Sequence, residues 1–243
     1  MVVYAIIAIV LVIVVVAIRT VLRPSDWVLD RAAVINPGVV FRIVTDERAI
    51  ALTIDDAPHP DVTPGLLRVL RAAGATATFF IIGSNAEAYP ELVDSIRADG
   101  HELANHLHTD RMSVGLSDRE FVDELLRTDA IIGPTGQPRW CRPGSGFITK
   151  RLIRLMNENG YTPCLGTAYP IDLYTPVELT VVQFLDNVRP GAILILHDGG
   201  ASRQDTIEVL STLLPRLKSM GYRLETLTEL SHLGKPVTED TGQ

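Results

Sequence analysis

From residue 48 onward, short apolar runs and amphipathic stretches take turns along the chain. "AIALTID" (49–55) reads as a buried strand, and "TPGLLRVLRAAG" (63–74) as a helix stopped by Gly74. "TATFFII" (76–82) is a second strand, "YPELVDSIRADG" (89–100) a helix closed by Gly100, and "HELANH" (101–106) a third strand. Ser117 and Glu120 stand in capping-box spacing at the head of "SDREFVDELLRTDAII". "RWCR" (139–142) is a short strand, followed by a helix in "TKRLIRLMNENG" with Thr149 as its cap and Gly160 beyond its end. "YTPCLG" (161–166) is the next strand, and "TPVELTVVQFLDNV" (175–188) a helix with Pro176 at its first position. "AILILH" (192–197) is almost wholly apolar, as a strand covered on both faces must be. A last helix ends near Gly221, before strand "YRLETL" (222–227). About seven strands, each followed by a helix or long loop, predict an α/β fold with a parallel sheet, open or closed into a barrel.

The first eighteen residues, "MVVYAIIAIVLVIVVVAI", follow neither period and carry no charged side chain. Their 17 apolar residues after Met1 reach the lower end of a membrane span, so residues 1–22 are expected to form a transmembrane or signal-anchor helix. A cleaved signal peptide is the rival, but a basic n-region is missing and "RTVLRPSDW" has no A-x-A-like exit. Residues 23–47 read as linker and lead-in, 48–232 as one domain, and "LGKPVTEDTGQ" (233–243) as a polar, frayed tail.

Charge and cysteine content narrow the class. A net charge of −7 over 243 residues offers no basic surplus for phosphates, so a nucleic-acid partner is not expected. Cys141 and Cys164 read as two buried free thiols rather than a disulfide framework.

Polar clusters fall at the carboxyl ends of the expected strands, where parallel α/β folds build their sites. Asp55 and Asp56 close the first strand, and alternation turns one of them to the cavity and the other to its rim. "NHLHTD" follows the third strand with His106, His108 and Asp110. On one turn of helix His106 and Asp110 would share a face and His108 would point away. "CRPGSGF" brings Arg142 and a Gly-rich turn, and "LHDGG" brings His197 and Asp198. Each cluster alone has an ordinary structural reading: a solvated turn, a helix cap, a histidine bonded to a backbone carbonyl. Their joint placement at one end of a sheet is far less expected by coincidence and points to a functional site.

In that order the motifs resemble the polysaccharide deacetylases, carbohydrate esterase family four, over about residues 48–230. "LTIDDAPHP" matches the family's aspartate-pair motif, "TATFFIIG" its following strand, and "GHELANH" its metal-histidine motif. "CRPGSGF" matches its arginine motif and "GAILILHDGG" its histidine strand. The resemblance implies a distorted (β/α)7 barrel and a metal-dependent hydrolase that removes acetyl groups from N-acetylated sugars or glycans. It implies Asp55 as general base, Asp56 and His106 as metal ligands, and His197 as general acid. Arg142 would orient the base, and the Gly144–Ser145 turn would give a backbone N–H to the oxyanion. The family's second metal histidine falls on Asp110, which would complete the ligand set for one divalent ion: zinc, cobalt or manganese. A second carboxylate makes that site formally neutral and favours harder ions such as Mn²⁺.

In the remaining family motif "AYPIDLY" supplies Asp172, which would tune His197 or orient Arg142, while Tyr169 and Leu173 stand where an aspartate and a tryptophan are usual. His108 would replace Asp110 only in an irregular loop. His101 reads as structural and remote, His232 as a surface residue, and His59 as lining the cleft or idle in its loop. The rival readings are a non-catalytic glycan-binding relative and a metal hydrolase of non-sugar amides or esters. Trp27 and Trp140 offer few platforms for stacking on sugar rings. The expected partners are a glycan and, through residues 1–22, a membrane. Arg19, Arg23 and Arg31 after the span would hold the domain in the cytoplasm by the positive-inside rule, whereas a cell-wall-type substrate asks for the extracytoplasmic side, and the latter is the location expected.

Overall fold

The computed structural model describes residues 2–168, 172, 175–199 and 204–237. Helix α1 (Val2–Leu22) is followed by α2 (Asp26–Ile35), which Ser25 caps, inside the stretch read as a linker. Strand β1 (Ile43–Val44) leads into β2 (Ala49–Ala57), α3 (Thr63–Ala73), β3 (Thr78–Ile81), α4 (Gly83–Ala88), α5 (Pro90–Ala98) and β4 (Glu102–Asn105). Next come α6 (Asp118–Ile132), β5 (Arg139–Cys141), α7 (Lys150–Glu158), β6 (Tyr161–Pro163) and α8 (Val177–Asn187). The chain continues through β7 (Ile193–His197), α9 (Gln204–Ser219), β8 (Arg223–Glu225), α10 (Leu227–His232) and β9 (Lys235–Pro236).

All seven expected strands are present, and all pair in parallel. The sheet order is β6-β5-β4-β3-β2-β7, with β8 paired to the first residues of β2. β2 is the central strand and is buried over nearly its whole length, so both faces need apolar side chains. One face packs Ile50, Leu52 and Ile54 with Phe79, Leu194 and the apolar sides of α3, α8 and α9. The other gathers Ala49, Ala51, Phe80, Trp140 and Ile193 in the barrel interior.

The expected α/β fold with a distorted (β/α)7 barrel is present as a curled, parallel half-barrel sheet. Between β6 and β7 no ladder forms among the described residues. Irregular chain spans the gap, where Val40 bridges to Cys164 and the Thr167 amide donates to the Ile193 carbonyl at 2.9 Å.

The local signals read from the sequence hold where they are strongest. Gly74 ends α3 in a left-handed cap, the Ser117–Glu120 capping box starts α6, and Thr149 caps α7. Pro176 differs, standing one residue before α8 as its N-cap. The tail is partly ordered, since β9 pairs antiparallel with β1, while residues 238–243 lie outside the described residues.

By length and composition, no single helix among the described residues is long and apolar enough to cross a membrane. Ile7–Leu22 and α2 meet that requirement only as a pair, bent by 78°. The segment expected as an anchor, residues 1–22, coincides with helix α1. Its junction with α2 is pinned to the domain. Asn187 at the end of α8 donates to the Leu22 carbonyl at 2.7 Å, and Arg189 donates to the Pro24 carbonyl and to Asp26. These bonds satisfy carbonyls that a helix end leaves orphaned.

Candidate active site

At the carboxyl ends of β2, β4, β5 and β7 the polar clusters meet around one cavity of about 650 Å³. Asp55, Asp56, His106, Asp110, Arg142, Ser145 and His197 all line it. Asp55 and His197 are register partners on the adjacent parallel strands β2 and β7. Each is clamped from another part of the chain. Arg142 donates from Nη1 to Asp55 Oδ1 at 2.5 Å, and also to Thr53 Oγ1 and the Cys164 carbonyl at 3.0 Å. Its guanidinium lies 4.0 Å from the centre of the Phe80 ring and is 2% exposed, so it is fixed by every contact available to it. Asp172 accepts the His197 backbone N–H at 2.9 Å and holds its Nδ1 at 3.0 Å. Burial disfavours a charged His197 ring, but Asp172, helped by Asp55 and Asp56, outweighs that effect and raises its pKa above the ordinary value.

His106 Nδ1 lies 2.7 Å from the Arg142 carbonyl. That carbonyl only accepts, so Nδ1 carries the hydrogen and Nε2 presents its lone pair to the cavity. Nε2 faces Asp56 Oδ1 at 3.5 Å. Two acceptors in opposition are reconciled by a shared cation or proton, and an imidazole fixed through Nδ1–H to a carbonyl is the arrangement metal-binding histidines use. Burial lowers the pKa of His106, yet Asp55 and Asp56 raise it by more. The pair fits a divalent ion by donor type. Among the described residues no three His, Cys, Asp or Glu side chains form a ready metal cluster. Asp110 lines the same cavity but does not close the trio.

The segment from His106 to Met112 is an irregular loop and not the helical turn that the spacing of His106 and Asp110 suggests. Leu107, at φ 65°, drives its side chain into a core cluster with Phe121 and Leu125. Thr109 and Arg111 bond Glu124 of α6. His108, although in a loop, does not line the cavity: its Nε2 lies 3.9 Å from Glu87 of α4. His101 accepts the Ala77 N–H and packs on Phe79, as a structural histidine should. His59 accepts the Asp61 N–H in its own loop, and His232 is exposed.

Among the described residues only Asp56, Leu107 and Ser145 combine a side chain with left-handed φ; Asp56 and Ser145 line the cavity, and Leu107 follows His106 with its side chain in the core. Each conformation costs about 1–3 kcal/mol and persists only where the surroundings impose it. Gly144, before Ser145, is pressed so close to the Arg111 carbonyl that a Cβ would stand 2.7 Å from it. Both cysteines are buried free thiols, with Cys164 Sγ 3.7 Å from Arg142 Nη2. Trp140 is buried and donates to Thr228, leaving it unavailable to a sugar. Tyr169 and Leu173 lie outside the described residues.

Some lining residues carried no signal in their own motifs. Thr20, Val21, Pro24, Val28 and Leu29, from α1, α2 and their junction, line the cavity. Thr53, within an apolar strand, serves Arg142, and Asn85 donates to the Asp56 carbonyl at 3.0 Å.

A curled parallel α/β half-barrel, with an aspartate pair, a histidine strand and a buried arginine at its mouth, defines the class of carbohydrate-esterase-like hydrolase folds. The family model for polysaccharide deacetylase matches residues 42–164, and the chain belongs to that family. It is 35% identical over 196 residues to a peptidoglycan-N-acetylglucosamine deacetylase of Bacillus cereus, covering 79% of this chain and 92% of that protein. A chitooligosaccharide deacetylase of a Bradyrhizobium species is 34% identical, over 77% of this chain and 92% of its own. Among solved structures, the peptidoglycan N-acetylglucosamine deacetylase Bc1960 superposes with a TM-score of 0.77 at 25% identity, covering 84% of this chain and 98% of that one. A family pseudoenzyme from Bacillus anthracis shares the fold, with a TM-score of 0.73 at 24% identity over 82% of this chain and 70% of its own.

Proposed function

We propose that the protein is a metal-dependent hydrolase that removes acetyl groups from N-acetylated sugars of peptidoglycan-like or chitin-like glycans. The observation that carries this reading is the register pairing of Asp55 with His197 at one cavity, each backed by a buried partner of opposite charge. Water adds across the amide: the acyl carbon takes its oxygen and leaves as acetate, and the nitrogen takes a proton and leaves as the sugar amine. Asp55, oriented by Arg142, accepts the proton of the attacking water. His197, held through Nδ1 by Asp172 and lining the cavity, delivers a proton to the departing nitrogen. The backbone N–H of Ser145 steadies the oxyanion. Asp56 and His106 would hold a divalent cation (zinc, cobalt or manganese), with Asp110 as third donor, and that ion would acidify water and polarise the acetyl carbonyl.

α1 is the proposed membrane anchor, with the domain on the extracytoplasmic side where such glycans lie. Its large apolar side chains from Ile7 to Val21 are all at least 46% exposed, a surface that soluble proteins do not leave bare. The non-catalytic reading draws on Asp110, which stands where the family's second metal histidine is usual, and on the pseudoenzyme of like fold. The full chain in detergent, supplied in turn with zinc, cobalt and manganese, separates these readings. Acetate release from chitooligosaccharides or peptidoglycan supports the deacetylase. Binding without release supports the lectin-like relative, and release from aryl acetates alone supports a non-sugar hydrolase.

A further inference from the structure

We infer that the substrate is an N-acetylated sugar carried on a membrane lipid, presented to the cavity from the bilayer surface on which the domain is rigidly held. This deepens the deacetylase and anchor readings above and rests on both.

Three observations converge. First, the end of the apolar helix is itself part of the site. Thr20 and Val21 of α1 and Pro24 line the same cavity as Asp55, His106 and His197. A domain on a flexible tether would place its site anywhere within the tether's reach; here the separation is set by the fold.

Second, the junction is locked. The Leu22 and Pro24 carbonyls are held by Asn187 and Arg189, Arg23 pairs with Asp186 at 3.5 Å, and Arg42 pairs with Asp30 at 2.8 Å. Bonds on both sides of the bend leave α1 little freedom to swing relative to the cavity.

Third, α2 has the two faces that an interfacial helix needs. It turns 78° from α1, so if α1 runs along the bilayer normal, α2 lies nearly in the plane of the surface. Val28 and Leu29 face the cavity. Trp27, Arg31 and Ile35, four residues apart, face outward, with Trp27 71% and Ile35 64% exposed. Tryptophan is the residue of the headgroup layer, and Arg19, Arg23 and Arg31 put positive charge at the depth of lipid phosphates. α1 is roughly 30 Å long, and its Ile7–Leu22 part reaches the requirement for a membrane span only together with α2, as a bent pair. Because Thr20 and Val21, which lie between Arg19 and Arg23, themselves line the cavity, it opens at the level of the headgroups. Its wall on that side is apolar, formed by Val21, Val28, Leu29 and Phe41. A short saccharide on a lipid carrier reaches such a site directly, with its lipid-proximal part against that wall.

The test uses the full chain in phosphatidylcholine vesicles containing an anionic lipid, with the metal that supports turnover. N-acetylglucosaminyl diphosphoryl polyprenol in the same vesicles is compared with chitotetraose in the surrounding buffer, and free amine is read by mass spectrometry. The protein should float with the vesicles, and kcat/KM for the lipid-linked sugar should exceed that for chitotetraose by about 100-fold, the scale of a gain in effective concentration. Asn187→Ala combined with Arg189→Ala should erase most of that preference by loosening the junction while leaving turnover of chitotetraose unchanged. Failure to float, equal or better use of chitotetraose, or a preference that survives the double variant would overturn the inference and leave the deacetylase reading intact. No amine from either sugar with any of the three metals overturns both.

Discussion

Asp55 and His197 sit opposite each other in the ladder between β2 and β7, so the proposed base and acid are positioned by backbone hydrogen bonds rather than by loops. Strand pairing fixes their separation, and the buried partners Arg142 and Asp172 fix the two side chains. Asp56 comes from the register irregularity near the end of β2, and loops supply the remaining pieces: the His106–Asp110 segment and the Ser145 turn. Such a division lets the acid–base pair stay constant while loops vary around it.

The Arg142–Asp55 pair makes removal of either partner costly. Arg142→Met leaves Asp55, 4% exposed, without its counter-charge, and breaking a buried pair in this way costs about 3–5 kcal/mol. Urea denaturation should show a large fall in midpoint. Asp55→Asn/Arg142→Met should lose less stability than the two single variants summed, because no unpaired charge then remains, while activity is lost in all three.

The raised pKa of His197 sets a pH dependence. A proton donor whose pKa lies above the ordinary 6.5 stays charged beyond that pH, so the alkaline limb of kcat/KM should fall above 6.5. Asp172 is the group that offsets burial. In Asp172→Asn, burial prevails and the limb should move below 6.5. For stability the sign follows from the same shift: the charged His197–Asp172 pair stabilises the fold fully below pH 6.5, and this contribution fades as pH rises through the raised value. Histidine NMR titration alongside pH–rate profiles checks both, and an unmoved limb in Asp172→Asn would remove His197 from the acid's role.

Much of this arrangement was legible in the chain because its signals are local. Apolar runs bounded by Gly74, Gly100 and Gly160 marked strands and helices, and the Ser117 and Thr149 caps marked helix starts. Sites at strand ends then followed from topology. What escaped depends on distant partners. The His106–Met112 segment has helical spacing but is pulled into a loop by Leu107 seeking the α6 core and by Glu124 binding Thr109 and Arg111. Sheet closure depends on Val40 and Thr167, which belong to no strand pattern. Nothing local in residues 20–29 shows that they wall the cavity. A further local signal lies in Thr226 and Glu229, which form a second capping box and start α10.

Metal preference tests whether Asp110 takes part. With Asp56, Asp110 and His106 as donors, a divalent ion leaves the site formally neutral; Asp110→His leaves it at +1 and adds a softer nitrogen donor. Zinc affinity should rise relative to manganese in Asp110→His, and Asp56→Ala should abolish tight binding of both, as read by competition against a chromophoric chelator. Unchanged selectivity in Asp110→His would show that the third donor comes from elsewhere.

Gly199 follows the histidine strand, and its lack of a side chain is what lets Asp56 sit where it does. A Cβ there would stand 2.8 Å from the Asp56 Cβ and 3.4 Å from its carbonyl oxygen. Asp56 has little room to yield, being already at φ 66° and tied through its carbonyl to Asn85. Gly199→Ala should therefore displace the carboxylate. Overpacking of this kind costs about 1–3 kcal/mol, and a shift near 1 Å in a reacting group costs on the order of 100-fold in rate. Metal affinity and kcat should fall together, with a modest drop in melting temperature. Gly115→Ala, which meets nothing within 4 Å, is the matched control and should leave all three unchanged. If Gly199→Ala kept full metal affinity, Asp56 would not be the ligand that the geometry of its contact with His106 indicates.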